Sequence, residues 1–419
     1  MKKLLNYIYI LLGGIFLAAL LMMLVYMLPT ERMERNVRSS MEIFYTERVY
    51  PQQAAGYKSS QLDNETEAIM LLGAIYSSDD SPINQAMRVS RIDFSATDAS
   101  CNDLIQYAWE NKTPDNIVEY SRYWHGYMIW LKPLLLLLDY ADIRMLNMML
   151  QVLLLFILLK ELTEKQMKSY LLPFAMSLII LNPAATAMSL QFSSIYYLIL
   201  ISMILILKYH ALFSNKKRYT YLFFILGMAT VFFDFLTYPL AAFCMPLILL
   251  LLLEQKSAKP SLSQTFKTIL LLGICFSLGY IAMWAGKWLI SSIILRENVV
   301  ANALNQLTLH TQETVVGDNH ITKIEAVFKN ISVIFRWPYL LILGTYFICL
   351  IIQLDWRHLK NSWKDTLPFW GICLIPLLWL FVTSSHATWC YWYTYRGLAA
   401  TVFSGFCALK IFPQRKKEN

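Results

Sequence analysis

Long apolar runs dominate this chain and limit what it can fold into. A helix needs about 20 apolar residues to cross the hydrocarbon core of a bilayer, and fewer when partner helices bury its ends. The first run is too long for a signal peptide and no cleavage pattern follows it, which predicts an uncleaved helix. All the runs together predict ten spans, at about residues 5–28, 145–160, 169–182, 194–208, 219–234, 237–253, 268–292, 338–353, 367–383 and 396–412.

The composition excludes several other classes of protein. Charged residues make up 15% of the chain, whereas a soluble domain has about 25%. The formal charge is +8, but the basic residues fall in short loops between apolar runs, so we predict no nucleic-acid partner. The seven cysteines are scattered without a ligand spacing, which predicts no metal site. The sequence therefore predicts an all-α polytopic membrane protein in contact with membrane lipids.

Basic residues are concentrated in alternate loops. The loops that lack them are 183–193 and 234–238, and 384–396 carries only Arg396. Because loops rich in Lys and Arg stay in the cytoplasm, both termini are predicted to be cytoplasmic. The basic segments are the N-terminus, 160–168, 208–218, 254–267, 354–366 and a tail with Arg415, Lys416 and Lys417.

Two long segments are then predicted to be extracytoplasmic. Within the first, residues 125–139 are apolar but are broken by Lys132 and Pro133. If they crossed the membrane, every later basic loop would face outward, so we expect an interfacial or re-entrant helix. The predicted order is a first transmembrane helix (1–28), a large outer loop with interfacial helices (29–143), transmembrane helices 2–7 (144–292), a second outer loop (293–337) and transmembrane helices 8–10 with a short tail (338–419).

The first polar cluster on the predicted outer side is LDNETEAIMLL. Asp63, Asn64, Glu65 and Glu67 directly precede an apolar helical run. Asp63 or Asn64 can simply cap that helix, and acidic residues favour its first turn. A carboxylate held there, near the membrane surface, is also a candidate general base.

The second cluster is SRYWHGY, where Arg122 and His125 bracket Trp124. This pattern is typical of an interfacial aromatic belt with cations that reach towards water. It also suits the wall of a substrate cleft, with an arginine for phosphate and aromatic rings for a sugar. Arg144 and Asn147 open the second span and are candidates for the same cleft.

Two further clusters lie near the outer ends of later spans. Asp234 in VFFDFLTYP either caps the sixth span or faces protein, water or a cation, because an unpaired carboxylate at such a depth is costly. Lys287 in MWAGKWLISS reaches out to water, pairs with Asp234 or holds a lipid phosphate. The last outer loop, SSHATWCYWYTYR, forms an aromatic and cationic rim with His386, Trp389, Tyr393 and Arg396.

These features together resemble the GT-C superfamily of membrane glycosyltransferases. The blocks DNETE, SRYWHGY with LKPL, FDFLTYP and YTYR are also similar to segments of bacterial polytopic proteins near that superfamily. The resemblance implies sugar transfer from a polyprenyl-phosphate donor on the outer side of a bacterial inner membrane. It also implies an Asp or Glu base in the first outer loop, which matches Asp63, with Glu67 in reserve. Only a short tail follows the last predicted span, so we expect the outer loops to recognise the acceptor.

A leaving phosphate needs cations, for which Lys287, Arg396 and Arg122 are candidates. Asp63 would take the proton from the hydroxyl of a glycan, lipid or protein acceptor. No cofactor is required by the pattern, and a divalent cation shared by Asp63 and Asp234 is optional. The other candidate substrate-binding residues are Asn64, Trp124, His125, Arg144, His386 and Tyr393.

Three other functions fit the same composition. A transporter or flippase of lipid-linked saccharides needs a cavity that opens to both sides, but the sequence shows neither a twofold repeat of spans nor matching broken helices. A ligase or polymerase of lipid-linked glycans usually has its large loop late in the chain, whereas the larger loop here is the first. In a structural assembly protein, the polar clustering on one side would be accidental.

Overall fold

A computed structural model describes residues 2–213, 216–311, 314–316 and 319–414. Within these residues the chain is nearly all-α, and six helices are long and apolar enough to cross a membrane. A seventh span results if one bent pair of helices counts as a single span. The predicted helical membrane class is therefore confirmed, whereas ten spans stay a prediction. Arg415, Lys416 and Lys417, which contributed to the predicted orientation, lie outside the described residues.

The first long helix, α1 (Lys2–Tyr26), is followed by a segment of short elements. These are α2 (Glu31–Ser39), α3 (Met41–Glu47), a 3₁₀ helix (Lys58–Ser60), α4 (Asn64–Ile75), α5 (Pro82–Arg88), β1 (Arg91–Asp93), α6 (Ser100–Ala108), β2 (Asn116–Val118) and α7 (Met128–Leu135). β1 and β2 pair antiparallel with Ile92 opposite Ile117. α7 has eight residues, which are too few to cross a bilayer.

The rest of the chain forms a helical bundle with short elements at one end. Its elements are α8 (Tyr140–Glu164), a 3₁₀ helix (Lys168–Tyr170), α9 (Leu171–Leu181), α10 (Pro183–Met188), α11 (Leu190–Phe213), α12 (Lys216–Phe233), α13 (Pro239–Ser257), α14 (Leu262–Leu295), α15 (Val299–Thr311), β3 (Thr314–Val316), β4 (Asn319–Ile321), α16 (Lys323–Ile334), α17 (Trp337–Gln353), α18 (Leu359–Val382), α19 (Ser384–Trp389), α20 (Tyr391–Thr394), a 3₁₀ helix (Tyr395–Gly397) and α21 (Leu398–Ile411). β3 and β4 pair antiparallel. α16 and α17 form the bent pair, at 85° to each other.

The bundle has two distinct ends. Residues 27–139 cover one end, which we call the loop face, and the opposite end is the tail face. At the loop face, the Asn182 side chain donates to the Ser59 carbonyl at 2.8 Å, and the short links between long helices lie under the 27–139 segment. At the tail face, the Gln255 side chain donates to the Asp365 carbonyl at 2.9 Å.

Two apolar cores hold these parts together. One lies among α8, α9, α11, α13, α18 and α21. The other joins α1, α12 and α14 to the helices of the 27–139 segment, and it includes the fully buried Met33, Phe44 and Leu71. The 27–139 segment is therefore packed onto the bundle through a shared core.

α12 and α14 approach each other most closely at a pair of glycines. A Cβ added to Gly227 would lie 2.1 Å from the Phe276 carbonyl oxygen, and one added to Gly279 would lie 2.1 Å from the Phe224 carbonyl oxygen. Small residues are enriched at helix contacts in membranes because they let the two backbones approach each other. This contact fixes how α12 and α14 lie along one another.

We predict that Gly279→Ala lowers the stability of the protein, because the added methyl group must push two backbones apart. The expected loss is about 1–3 kcal/mol, as for other overpacked sites. Thermal unfolding of the detergent-purified protein measures it as a lower melting temperature. Gly344→Ala in α17 is the matched control, since nothing lies within 4 Å of its added Cβ. Equal melting temperatures for the two variants would contradict the close contact.

Candidate functional site

The loop face contains a polar and aromatic cavity of about 230 Å³. Six separate segments form its wall. They are α4, residues 120–123, the start of α11, the link after α12, helix α15, and the region of α19 and α20. The lining residues are Thr66, Ile69, Tyr120, Arg122, Tyr123, Gln191, Phe235, Leu236, Gln306, His310, His386, Cys390 and Tyr393. Three predicted site residues, Arg122, His386 and Tyr393, therefore share one cavity although they are far apart in sequence.

Arg122 is the cation of this cavity. Its guanidinium carbon lies 4.4 Å from the centre of the Tyr120 ring and 5.3 Å from that of Tyr123. One terminal nitrogen donates to the Asn302 side chain at 3.4 Å, and the buried Nε has no hydrogen-bond partner. Among the described residues, no carboxylate forms an ion pair with Arg122. An arginine without an acidic partner in a half-enclosed site is suited to an anionic ligand.

Two histidines form the opposite part of the wall. The His310 and His386 rings lie 5.2 Å apart, centre to centre, at an angle of 80°. His386 Nε2 lies 2.8 Å from the Leu236 carbonyl oxygen, so this nitrogen carries the proton and Nδ1 is left as an acceptor. Burial, assisted by neighbouring His310, lowers the pKa of His386 to about 4. Burial also lowers the pKa of His310. Both rings are therefore neutral near pH 7.

Asp63 lies directly behind the cavity wall. It is the N-cap residue of α4, and its side chain accepts a 3.0 Å hydrogen bond from the Thr66 backbone N–H. Thr66 itself lines the cavity. Burial raises the pKa of Asp63 to about 7, and the negative charges of Glu65 and Glu67 add to the effect. Both sequence interpretations of Asp63 thus remain compatible, because the cap also holds a carboxylate that ionises near neutral pH.

Asp234 borders the cavity from the other side. Its carboxylate accepts hydrogen bonds from the Thr237 backbone N–H, at 2.9 Å, and from the Thr237 hydroxyl. The two residues that follow, Phe235 and Leu236, line the cavity. Burial raises the pKa of Asp234 to about 7, against the lowering effect of the Thr237 hydrogen bonds. Asp234 therefore organises the tight link between α12 and α13.

Glu67 and Asn64 belong to a buried network between α4 and α8. One Glu67 oxygen accepts from the Tyr140 hydroxyl at 2.6 Å, and the other accepts from the Ser189 hydroxyl and the Gln191 backbone N–H. Both Glu67 oxygens are thus already bonded within the protein. The geometry gives Glu67 a role in holding α4, α8 and the start of α11 together.

Arg144 and Asn147 of α8 face the same interior. Arg144 forms a two-pronged ion pair with Glu47, at 2.8 and 3.0 Å, and also donates to the Asn64 side-chain oxygen at 3.1 Å. Asn147 donates to the Ala187 carbonyl at 2.8 Å. Neither residue lines the polar cavity. Their described contacts join α8 to the 27–139 segment and to α10.

Trp124, His125 and Lys287 lie deeper than the cavity wall. Trp124 is fully buried and donates to the Met283 carbonyl at 2.8 Å. His125 Nδ1 is 2.9 Å from the Tyr127 hydroxyl, and burial lowers the pKa of His125 to about 3. The three side chains lie outside the set that lines the cavity.

Lys287 does not reach out to water, because its side chain is fully buried. Its ammonium group donates to the Met87 carbonyl at 3.0 Å and lies 5.5 Å from the centre of the Trp124 ring. No ion pair joins Lys287 to Asp234 among the described residues. Of the three alternatives for Lys287, the structure shows neither contact with water nor a pair with Asp234, because the last turn of α5 covers the lysine.

Arg396 is likewise fully buried and bonded to backbone carbonyl groups. It donates to the carbonyls of Leu181, Trp392 and Ser59 at 3.2, 2.9 and 3.4 Å. Its guanidinium carbon also lies 4.1 Å from the centre of the Phe192 ring. Arg396 therefore connects α9, α20 and the 27–139 segment below the cavity.

Several residues of the wall are not among those predicted from the sequence. His310 and Gln306 come from α15, whose polar residues lie in the second predicted outer loop and were not nominated. Gln191 follows the break between α10 and α11, and only the fold brings it beside α4. Gln306 and His310 lie four residues apart, which is about one helical turn, so they share one face of α15. This spacing is the weak signal for the site in the sequence.

An apolar groove of about 290 Å³ lies beside the same α12–α13 link. α7, α8, α11 and the end of α12 form its walls. Phe233 lines the groove and Phe235 lines the polar cavity, so the two residues that flank Asp234 in the chain face different spaces. The other lining residues are Trp130, Leu134, Ile143, Leu146, Asn147, Leu150, Ser194, Tyr197, Leu198 and Ile201.

The described part of the chain contains no group of three or more His, Cys, Asp or Glu side chains that could hold a metal ion. Comparison with protein-family models, with curated proteins and with solved structures finds no match to this chain. A functional assignment therefore depends on the geometry of the cavity and the groove.

The raised pKa of Asp63 predicts a pH-dependent stability. Between its ordinary value of 3.8 and about 7, the folded protein holds a proton that the unfolded chain has lost. Stability therefore falls as the pH rises through this window and is level above it. Asp63→Asn keeps the cap and removes the titration, so its melting temperature should fall less than that of wild type between about pH 5 and about pH 8. Asp98→Asn, at an exposed site, is the control, and equal slopes for all three proteins would contradict the burial effect.

Proposed function

We propose that this protein is an integral-membrane glycosyltransferase that uses a polyprenyl-phosphate-linked sugar. The observation that supports this most is the pair of spaces lined by the two residues that flank Asp234. One is polar, aromatic and cationic, and the other is an apolar groove among long apolar helices. A sugar phosphate on a hydrocarbon chain has the same two-part chemistry, so the head would enter the cavity and the chain would lie in the groove.

The donor phosphate is assigned to Arg122. Of the four arginine and lysine residues nominated from the sequence, Lys287, Arg396 and Arg144 already donate to carbonyl or carboxylate groups of the protein. Arg122 lines the cavity and lacks an acidic partner, so its donors are available for phosphate oxygens. Tyr120 and Tyr123 beside it offer ring faces for the sugar.

The proposed reaction is a single displacement at the anomeric carbon of the sugar. The acceptor oxygen forms the new bond to this carbon while the bond from the carbon to the phosphate oxygen breaks. Asp63 takes the acceptor hydroxyl proton, and polyprenyl phosphate leaves with the bonding electron pair. A base whose pKa lies near 7 is ionised in part at neutral pH and still strong enough to accept a proton, which favours Asp63.

The loop face is proposed to be extracytoplasmic, with both termini in the cytoplasm of a bacterial cell. Support comes from the distribution of charge in the sequence and from the position of basic residues at the tail face. Lys256 there donates to the Lys165 carbonyl at 3.0 Å, which brings two of the basic loops together. Positively charged loops favour the cytoplasmic side of a membrane.

We predict that Asp63→Asn lowers sugar transfer by at least about 100-fold, the usual contribution of a general base. The measurement is transfer of radiolabelled sugar from a set of polyprenyl-phosphate sugars in proteoliposomes, with protein level and elution profile recorded in parallel. Asp98→Asn in the same segment is the control and should transfer normally. Normal transfer by Asp63→Asn would remove Asp63 from the mechanism.

We also predict that Arg122→Ala raises the donor KM by about 10- to 100-fold, because a charge-assisted contact with phosphate is worth about 1.5–3 kcal/mol. Arg122→Lys keeps the charge and should recover part of this loss, whereas the exposed control Arg35→Ala should leave KM unchanged. If labelled lipid-linked sugar crosses the bilayer without forming a glycosidic bond, the protein is a transporter instead.

A further inference from the structure

Two aromatic rings stack on the surface of the 27–139 segment. The rings of Tyr45 in α3 and Trp109 after α6 lie 5.9 Å apart, centre to centre, with only 16° between their planes. Both remain about half exposed, at 47% and 50%. The Arg48 guanidinium carbon lies 4.5 Å from the centre of the Tyr45 ring. Rings that are stacked together form a contiguous apolar patch, and such patches can mark a binding site.

The surroundings of Trp109 are polar and exposed to water. Glu110 and Lys112 form an exposed ion pair at 2.7 Å, and the Asn111 side chain accepts a 2.6 Å hydrogen bond from Arg38. The exposed apolar residues of α8 that would contact lipid begin only at Met145. The opposite charges next to Trp109 are already paired with each other, so a ligand here needs no counter-charge.

Further aromatic rings lie between the 27–139 segment and the cavity. Tyr50 is also exposed, and its ring lies 5.0 Å from that of Trp392. The Trp392 ring in turn lies 5.6 Å from Tyr393, which lines the cavity. Tyr45 and Tyr50 are five residues apart, so their Cα atoms are separated by at most about 19 Å. A few sugar units can bridge a distance up to this limit.

We propose that Tyr45 and Trp109 form a docking platform for a neutral oligosaccharide, the acceptor chain of the proposed transferase. The C–H face of a sugar ring is apolar and packs on an aromatic face, while its hydroxyl groups bond to polar side chains at the rim. Glu110, Asn111 and Lys112 provide such a rim. Tyr50 and Trp392 then guide the end of the chain towards Tyr393 and the cavity. The inference rests on the proposed function for the identity of the chain as acceptor.

The test is fluorine NMR of the full-length protein labelled with 5-fluorotryptophan, in lipid nanodiscs. Trp109→Phe and Trp392→Phe assign the two resonances. The probes are cellohexaose, maltohexaose, mannohexaose and chitohexaose, each added to about 10 mM, a range that detects weak binding. We expect at least one of them to shift the Trp109 resonance, then that of Trp392, and Tyr45→Ala to weaken this binding about tenfold. Trp356, an exposed tryptophan at the tail face, is the internal control.

Four results would overturn the platform, three from the spectra and one from the transfer assay. The first is the absence of a Trp109 shift with every probe, and the second is unchanged binding in Tyr45→Ala. The third is broadening of the Trp109 resonance by spin-labelled lipid, which would make the rings a membrane contact. The titration contains no lipid-linked donor, so it can succeed even if sugar transfer is never observed. Conversely, a Tyr45→Ala protein with normal transfer and normal acceptor KM would reject the platform and leave the transferase intact.

Discussion

Buried cations that donate to the ends of helices hold the loop face together. Lys132, Lys287 and Arg396 each bond to a carbonyl in the last turn of a helix, α4, α5 and α9 respectively. These carbonyls have no partner within their own helices and lie at the negative end of the helix dipole. The Leu181 carbonyl also accepts from the Thr186 hydroxyl at 2.8 Å, whereas the Ala74 and Met87 carbonyls depend on the two lysines. Buried without a donor, each of these two carbonyls would cost about 1–3 kcal/mol. The lysines therefore stabilise the packing of α4 and α5 onto the bundle.

The same interaction distinguishes the cations that hold the structure together from Arg122, the cation at the cavity. A cation that already donates to carbonyl groups has few donors left for a ligand, whereas Arg122 has one weak hydrogen bond and two aromatic neighbours. Asp63 and Asp234 are likewise fixed by backbone N–H groups, yet both lie next to residues of the cavity wall. Local backbone hydrogen bonds thus place two carboxylates beside the wall of the cavity.

The sequence predicted the class of fold and part of the site. Apolar runs identify long helices because the requirement for length and apolarity is local to each run. Arg122, His386 and Tyr393 are predicted on one side of the membrane, and the structure brings them into one cavity, whereas their role stays a prediction. Lys287 could not be located from its sequence, because whether a lysine reaches water depends on which distant segment covers it. His310 was missed for the related reason that α15 lines the cavity only through its packing on α14 and α19.

The contact between α12 and α14 at Gly227 and Gly279 has a consequence for the loop face. Asp234 follows Gly227 by seven residues and Lys287 follows Gly279 by eight, so each lies about two helical turns, or roughly 10–12 Å, above the crossing point. The crossing therefore sets the heights of Asp234 and Lys287 relative to each other. A slip of one residue between the helices would change this relative height by about 1.5 Å. Two residues without side chains thus govern the vertical alignment of charged groups that they never touch.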